Sequence, residues 1–98
     1  MMLVKLTEVC VQGSFTSQKN NYALREIFVN PEHVVMIREE ATMRRLNEQT
    51  SLVDGLDSGH SFSKVTLDRG QRGEVVVVGS PDAIRQTLNQ SRRQVIRG

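Results

Sequence analysis

One cysteine, Cys10, stands in a chain of 98 residues. A single thiol excludes an intrachain disulfide and any zinc site built on paired cysteines. Its place at the end of an apolar, strand-like run predicts a buried, inert thiol. Aromatic residues are equally scarce at 4%: Phe15, Tyr22, Phe28 and Phe62. That is too few for a platform on which successive bases of a single strand would stack. No segment is long and apolar enough to span a bilayer. The start, Met1-Met2-Leu3-Val4-Lys5-Leu6-Thr7-Glu8-Val9, lacks the apolar middle of a signal peptide, so a cytoplasmic location is expected. No glycine-rich phosphate loop occurs, and no internal repeat.

What remains describes an ordinary globular chain, 38% hydrophobic and 24% charged. It is too apolar for a disordered segment and of a size for one domain, residues 1–98. The clearest stretch runs from Glu74 to Gln90. Val75 to Val78 is an unbroken β-branched run, stiff at χ1 and suited to a pleated surface. With no polar residue interrupting it, both faces of this strand are expected to be covered, which places it centrally. Gly79 ends the run, Ser80 is a good N-cap, and Pro81 suits the first helical position. Ala83, Ile84, Leu88, Val95 and Ile96 trace a stripe of helical period, weakest near Ser91. A helix is predicted over 81–92, fraying beyond. Its Gly-Ser-Pro start could hold an anion, although a capped helix start is the plainer reading.

Upstream, Leu3 to Val11 reads as a strand and 12–21 as a polar loop. Tyr22 to Val29 alternates, with Leu24, Glu26 and Phe28 on one face and Arg25, Ile27 and Val29 on the other. Asn30-Pro31-Glu32 is a turn, and His33 to Glu39 a third strand; so short a turn predicts that strands two and three are antiparallel neighbours. Residues 41–61 form a long insertion, in which Glu39 to Gln49 can make a short helix with Met43 and Leu46 on one side. Phe62 to Asp68 is a fourth strand, joined to the fifth by the loop Arg69-Gly-Gln-Arg-Gly73. The fold class is therefore mainly β, in the order β-β-β-insertion-β-β-α. The expected architecture is a small, strongly bent five-stranded sheet, or an SH3- or Sm-like barrel, with a C-terminal helix. A flatter sheet with the helix on one face is the alternative.

Three pieces together carry a resemblance: Val4-Lys5-Leu6-Thr7; the run from Ile27 through Asn30-Pro31-Glu32 to Glu39; and Val65-Thr66-Leu67-Asp68-Arg69-Gly70 leading to the valines and Ser80-Pro81-Asp82-Ala83-Ile84. In that order they resemble the small flagellar FlbD-like proteins and short tailed-bacteriophage proteins. The resemblance implies a compact β module of bacterial or phage type that acts through contacts, and it brings no catalytic residues.

A search for chemistry finds little. His60 lies near Asp54, Asp57, Ser58 and Ser61, residue types that can form a hydrolytic triad or a metal site. No nucleophile motif surrounds either serine, and the spacing matches no closed metal motif, so a solvated turn is the simpler reading. His33 is expected to cap its turn or face water. Glu39 and Glu40 are adjacent on a strand and would point apart. No catalytic, cofactor or metal residue is assigned, and an enzyme is not expected.

Charge is uneven. Net charge is +2, yet from Arg69 to Gly98 six arginines face only Glu74 and Asp82, so that segment is +4 and the remainder −2. Two functions follow. The first is a non-catalytic protein-interaction module that self-associates as a homo-oligomer. The second is an Sm-like nucleic-acid-binding protein using Arg69, Arg72, Arg92 and Arg93. A solvated arginine surface is the simpler account of the same residues.

Overall fold

The computed structural model describes residues 3–11, 22–50, 56–68 and 72–97. Five strands and two α-helices follow one another: β1 (Val4–Val11), β2 (Tyr22–Val29), β3 (Val34–Glu39), α1 (Ala41–Thr50), β4 (Phe62–Asp68), β5 (Arg72–Val78) and α2 (Pro81–Arg97). A single 3-10 turn, Pro31–His33, joins β2 to β3. The strands form one antiparallel sheet in the order β2-β1-β5-β4-β3.

This order corrects one expectation. Strands β2 and β3 are not neighbours; they are the two margins of the sheet. The turn between them is tight for a different reason. Asn30 Oδ1 accepts from the Glu32 amide at 2.9 Å, and the His33 amide donates to the Asn30 carbonyl at 3.0 Å. A 3-10 turn closed in this way redirects the chain instead of returning it alongside β2.

So short a link between the outermost strands rules out a flat sheet. Laid flat, β2 and β3 would lie four strand spacings apart, roughly 19 Å. They would also be displaced lengthwise. Val29 pairs with Val4, four residues from Glu8, the β1 partner of Val77. Val34 pairs with Leu67, whose β5 partner Gly73 lies four residues from Val77 in the opposite sense. At about 3.4 Å per residue that offset is roughly 27 Å. Five Cα steps from Val29 to Val34 reach at most ~18 Å. The sheet must therefore roll with a stagger, as strands do in a barrel. It is strongly bent yet not closed into a barrel, because no ladder joins β2 to β3.

Rolling divides the apolar residues into two layers. Val4, Leu6, Val29, Val65 and Val77 are buried on the inner side, with Ile27, Val34, Ile37, Leu67 and Val75 packed around them. From α2, Ile84 and Leu88 complete this cluster, and the helix packs on β1, β3 and β4. On the outer side, Val9 and Phe62 are buried with Val76, Val78, Tyr22 and Leu56, beneath Met43 and Leu46 of α1. The valine run thus lies between β1 and β4 with cover on both faces, as its composition predicts.

The start of α2 also follows the sequence. Ser80 Oγ accepts from the Ala83 amide at 3.1 Å, and the Ser80 carbonyl accepts from the Ile84 amide at 3.0 Å. The helix runs to Arg97 rather than ending near Arg92. Between Ser91 and Arg97 there is no Gly or Pro, and Arg and Gln are good helix formers. Gly79 has φ +127°, and its carbonyl accepts from Ser63 Oγ at 2.7 Å, which satisfies a fully buried hydroxyl. A Cβ placed at Gly79 would stand 3.1 Å from Ile84 Cδ1. Gly79→Ala is expected to cost about 1–3 kcal/mol, since the backbone conformation is strained for any side chain. Urea unfolding of the variant against the parent measures it.

Candidate functional site

Of the residues that suggested chemistry, Asp57 is occupied with structure. Asp57 Oδ1 accepts from the Gly59 amide at 3.0 Å, and the His60 amide donates to the Asp57 carbonyl at 3.3 Å. That is an Asx turn, with its carboxylate already used. Asp54 lies outside the described residues, among which no grouping of His, Cys, Asp and Glu could hold a metal ion. Glu39 and Glu40 separate as expected: Glu39 pairs with Arg44 at 3.1 Å and Glu40 with Lys64 at 3.6 Å. Cys10 is half-buried rather than buried, because it sits near the end of β1 on the outermost strand pair; its thiol donates to the Ala23 carbonyl at 3.4 Å.

Of the arginines proposed for nucleic acid, Arg72 opens β5, and Arg92 and Arg93 fall in the later turns of α2. Arg69 lies outside the described residues, as do the side chains of the other three. No arrangement of the four is on view.

The outer side of β3, β4 and β5 carries a polar ladder. Arg38 and Lys64 stand directly opposite each other, a pairing that like charge disfavours. Glu74 offsets it, 3.9 Å from Arg38 and 4.0 Å from Lys64, and it also accepts from Thr66 Oγ1 at 3.5 Å. Elsewhere, Glu8 accepts from Arg25 at 2.8 Å, and that hydrogen bond and the carboxylate charge hold the guanidinium pKa above its ordinary value. These groups offset one another's charge.

The insertion is anchored. Asn47 of α1 is fully buried, and its Nδ2 donates to the Asp57 carbonyl at 2.9 Å. This bond ties the helix to the segment entering β4, while Met43 and Leu46 seal the outer layer. The helical spacing of Met43 and Leu46 was the available signal, and the buried amide of Asn47 escaped it.

What is left uncovered is the margin of the sheet. Leu24 and Phe28 on β2, and Val35 and Met36 on β3, are exposed, Phe28 most of all at 61%. They are four of the five large hydrophobic side chains exposed among the described residues; the fifth is Leu3. Among the described residues each of the two strands has one neighbour, so one side of its backbone has no ladder partner there. Unpaired strand sides of this kind are templates for another chain.

Neither a family model, nor a curated protein, nor a solved structure matches this chain. The site must be read from its own geometry. That geometry is two marginal strands that carry exposed apolar side chains on a rolled sheet. Among the described residues no helix is long and apolar enough to cross a membrane.

Asn47→Ala is expected to lower stability by about 1–3 kcal/mol through the Asp57 carbonyl left without its donor. Hydrogen exchange should quicken first in α1, with β4 and β5 still protected.

Proposed function

We propose that the protein is a small non-catalytic interaction module that self-associates through the open margins of its sheet. The observation that carries this reading is the concentration of exposed apolar side chains on the two strands that lack a second neighbour. Isolated exposed hydrophobics are common on any surface, but here they coincide with unused backbone hydrogen-bonding groups. The resemblance to FlbD-like and phage proteins supports the same kind of action, through contacts rather than catalysis.

Mass in solution tests it. The protein should exceed monomer mass at tens of micromolar by light scattering, and dilution should reduce it. Phe28→Ser with Met36→Ser should shift it to monomer without loss of thermal stability, because both side chains are already in water. A parent protein that stays monomeric throughout would end this reading.

The charge balance from Arg69 onward supports a second reading, contact with a phosphate backbone. On that reading, RNA or DNA shifts in a gel at low salt, and Arg69→Ala with Arg72→Ala weakens the shift and its salt dependence.

A further inference from the structure

Four antiparallel ladders leave β2 and β3 running the same way at the two margins. That limits how two copies can continue one sheet. With the same face outward on both, β2 of one copy meets β3 of another only in parallel. An antiparallel seam joins like to like, about a twofold axis normal to the sheet. Directly opposed residues then share a face, and the residue on the axis meets its own copy.

The outer side of β2 carries Leu24, Glu26 and Phe28, and the inner side Arg25, Ile27 and Val29. Registers of β2 against itself centred on Arg25 or Glu26 oppose that charge to its copy. Centring on Leu24 sets Ala23 against Arg25, and centring on Ile27 sets Glu26 against Phe28 and Arg25 against Val29. Centring on Val29 brings Ile27 against Pro31, which has no amide N–H. Centring on Phe28 opposes Phe28 to Phe28, Ile27 to Val29 and Glu26 to Asn30. Asn30 is still in extended backbone; its Oδ1 accepts from the Glu32 amide, and its Nδ2 can donate to the Glu26 carboxylate. Strand β3 offers less. Against β2 in parallel, Phe28 opposite Met36 lies between the bulge before Met36 and the turn after Asn30, and parallel pairing is the weaker kind. Against itself, β3 opposes Met36 to Arg38, or Arg38 to its copy, or runs into the bulge.

We infer that two copies pair β2 with β2, antiparallel about Phe28, in a closed dimer with one continuous sheet. The occupant is a second copy because this end of β2 complements itself. Phe28 is the most exposed large hydrophobic side chain among the described residues, and on the axis it meets its own kind, an aromatic cross-strand pair. Leu3, also exposed, precedes Val4, the partner of Val29, and so lies at the same end of the sheet. The Lys5–Glu26 and Arg25–Glu8 pairs stay within each copy, and no like charges are opposed. Both copies use the same surface, so assembly stops at the dimer.

This inference rests on the self-association proposed above, and its test separates the two. Native mass spectrometry across a dilution series should show a dimer and nothing larger. Phe28→Ser alone should weaken it by about tenfold or more, and Met36→Ser alone by less than about twofold; circular dichroism checks that each variant is folded. Spin labels at Lys5→Cys or Thr7→Cys, in a Cys10→Ser background, read the register with Phe28 in place. Lys5 is the β1 partner of Phe28, and Thr7 that of Glu26. Across the seam two Lys5 positions lie three strand spacings apart, roughly 14 Å, whereas two Thr7 positions are also offset lengthwise, roughly 20 Å in all. The Lys5 label should therefore report the shorter distance. A shorter distance from Thr7 would overturn the register. An assembly larger than a dimer, or one lost with Met36→Ser but not with Phe28→Ser, would overturn the β2 seam and leave self-association standing. A monomeric parent would overturn both.

Discussion

The turn Asn30–His33 constrains everything else in this molecule. It is held by its own hydrogen bonds, from the Glu32 amide to Asn30 Oδ1 and from the His33 amide to the Asn30 carbonyl. It leaves the outermost strands no more chain than five Cα steps, so the sheet that joins them has to bend round on itself. An inner volume results, and the inner side chains of all five strands reach it. Without the roll, Val4, Leu6, Val29, Val65 and Val77 would line an open face too broad for one helix to cover. With it, Ile84 and Leu88 suffice.

Bending also explains why one strand needs cover twice. Strand β5 is central, and its valines alternate between the inner layer, through Val75 and Val77, and the outer one, through Val76 and Val78. The outer layer would be wet without the excursion after β3. Helix α1 supplies Met43 and Leu46, and fully buried Asn47 fixes the returning segment before Phe62 enters β4. Burial of Phe62 alone contributes on the order of 2–3 kcal/mol. Two fully buried polar side chains, Ser63 and Asn47, each find a backbone carbonyl, so the seams between sheet and helices carry hydrogen bonds.

Much of this was legible in the residues. The valine run announced a strand covered on both faces, and Gly79-Ser80-Pro81 announced a capped helix, because those signals are local and chemical. The bent five-stranded sheet followed from strand count and length. What could not be read was which strands pair. A short link usually joins neighbours, and the sequence of the 30–33 turn does not distinguish a hairpin from a 3-10 reversal that feeds opposite margins. The same loss of information hid the surface of interest. Leu24 and Phe28 share a face in any strand reading of Tyr22–Val29, but they matter only once β2 is known to be a margin. The basic residues show the converse: their charge is plain in the sequence, and their arrangement depends on parts of the chain the structure does not describe.

The roll that this turn forces stops short of closure. A closed barrel would pair β2 with β3 and use up both strands' spare hydrogen-bonding groups. Here the strands keep those groups, and each keeps large apolar side chains in water. Natural sheets blunt such margins with bulges and charges, and this one has both, at Val35 and at Arg25, Glu26, Arg38 and Glu39. Charges placed only to repel would be of one sign on each strand. These alternate, plus then minus along β2 and again along β3, so neither margin carries the uniform field that would repel every approaching strand.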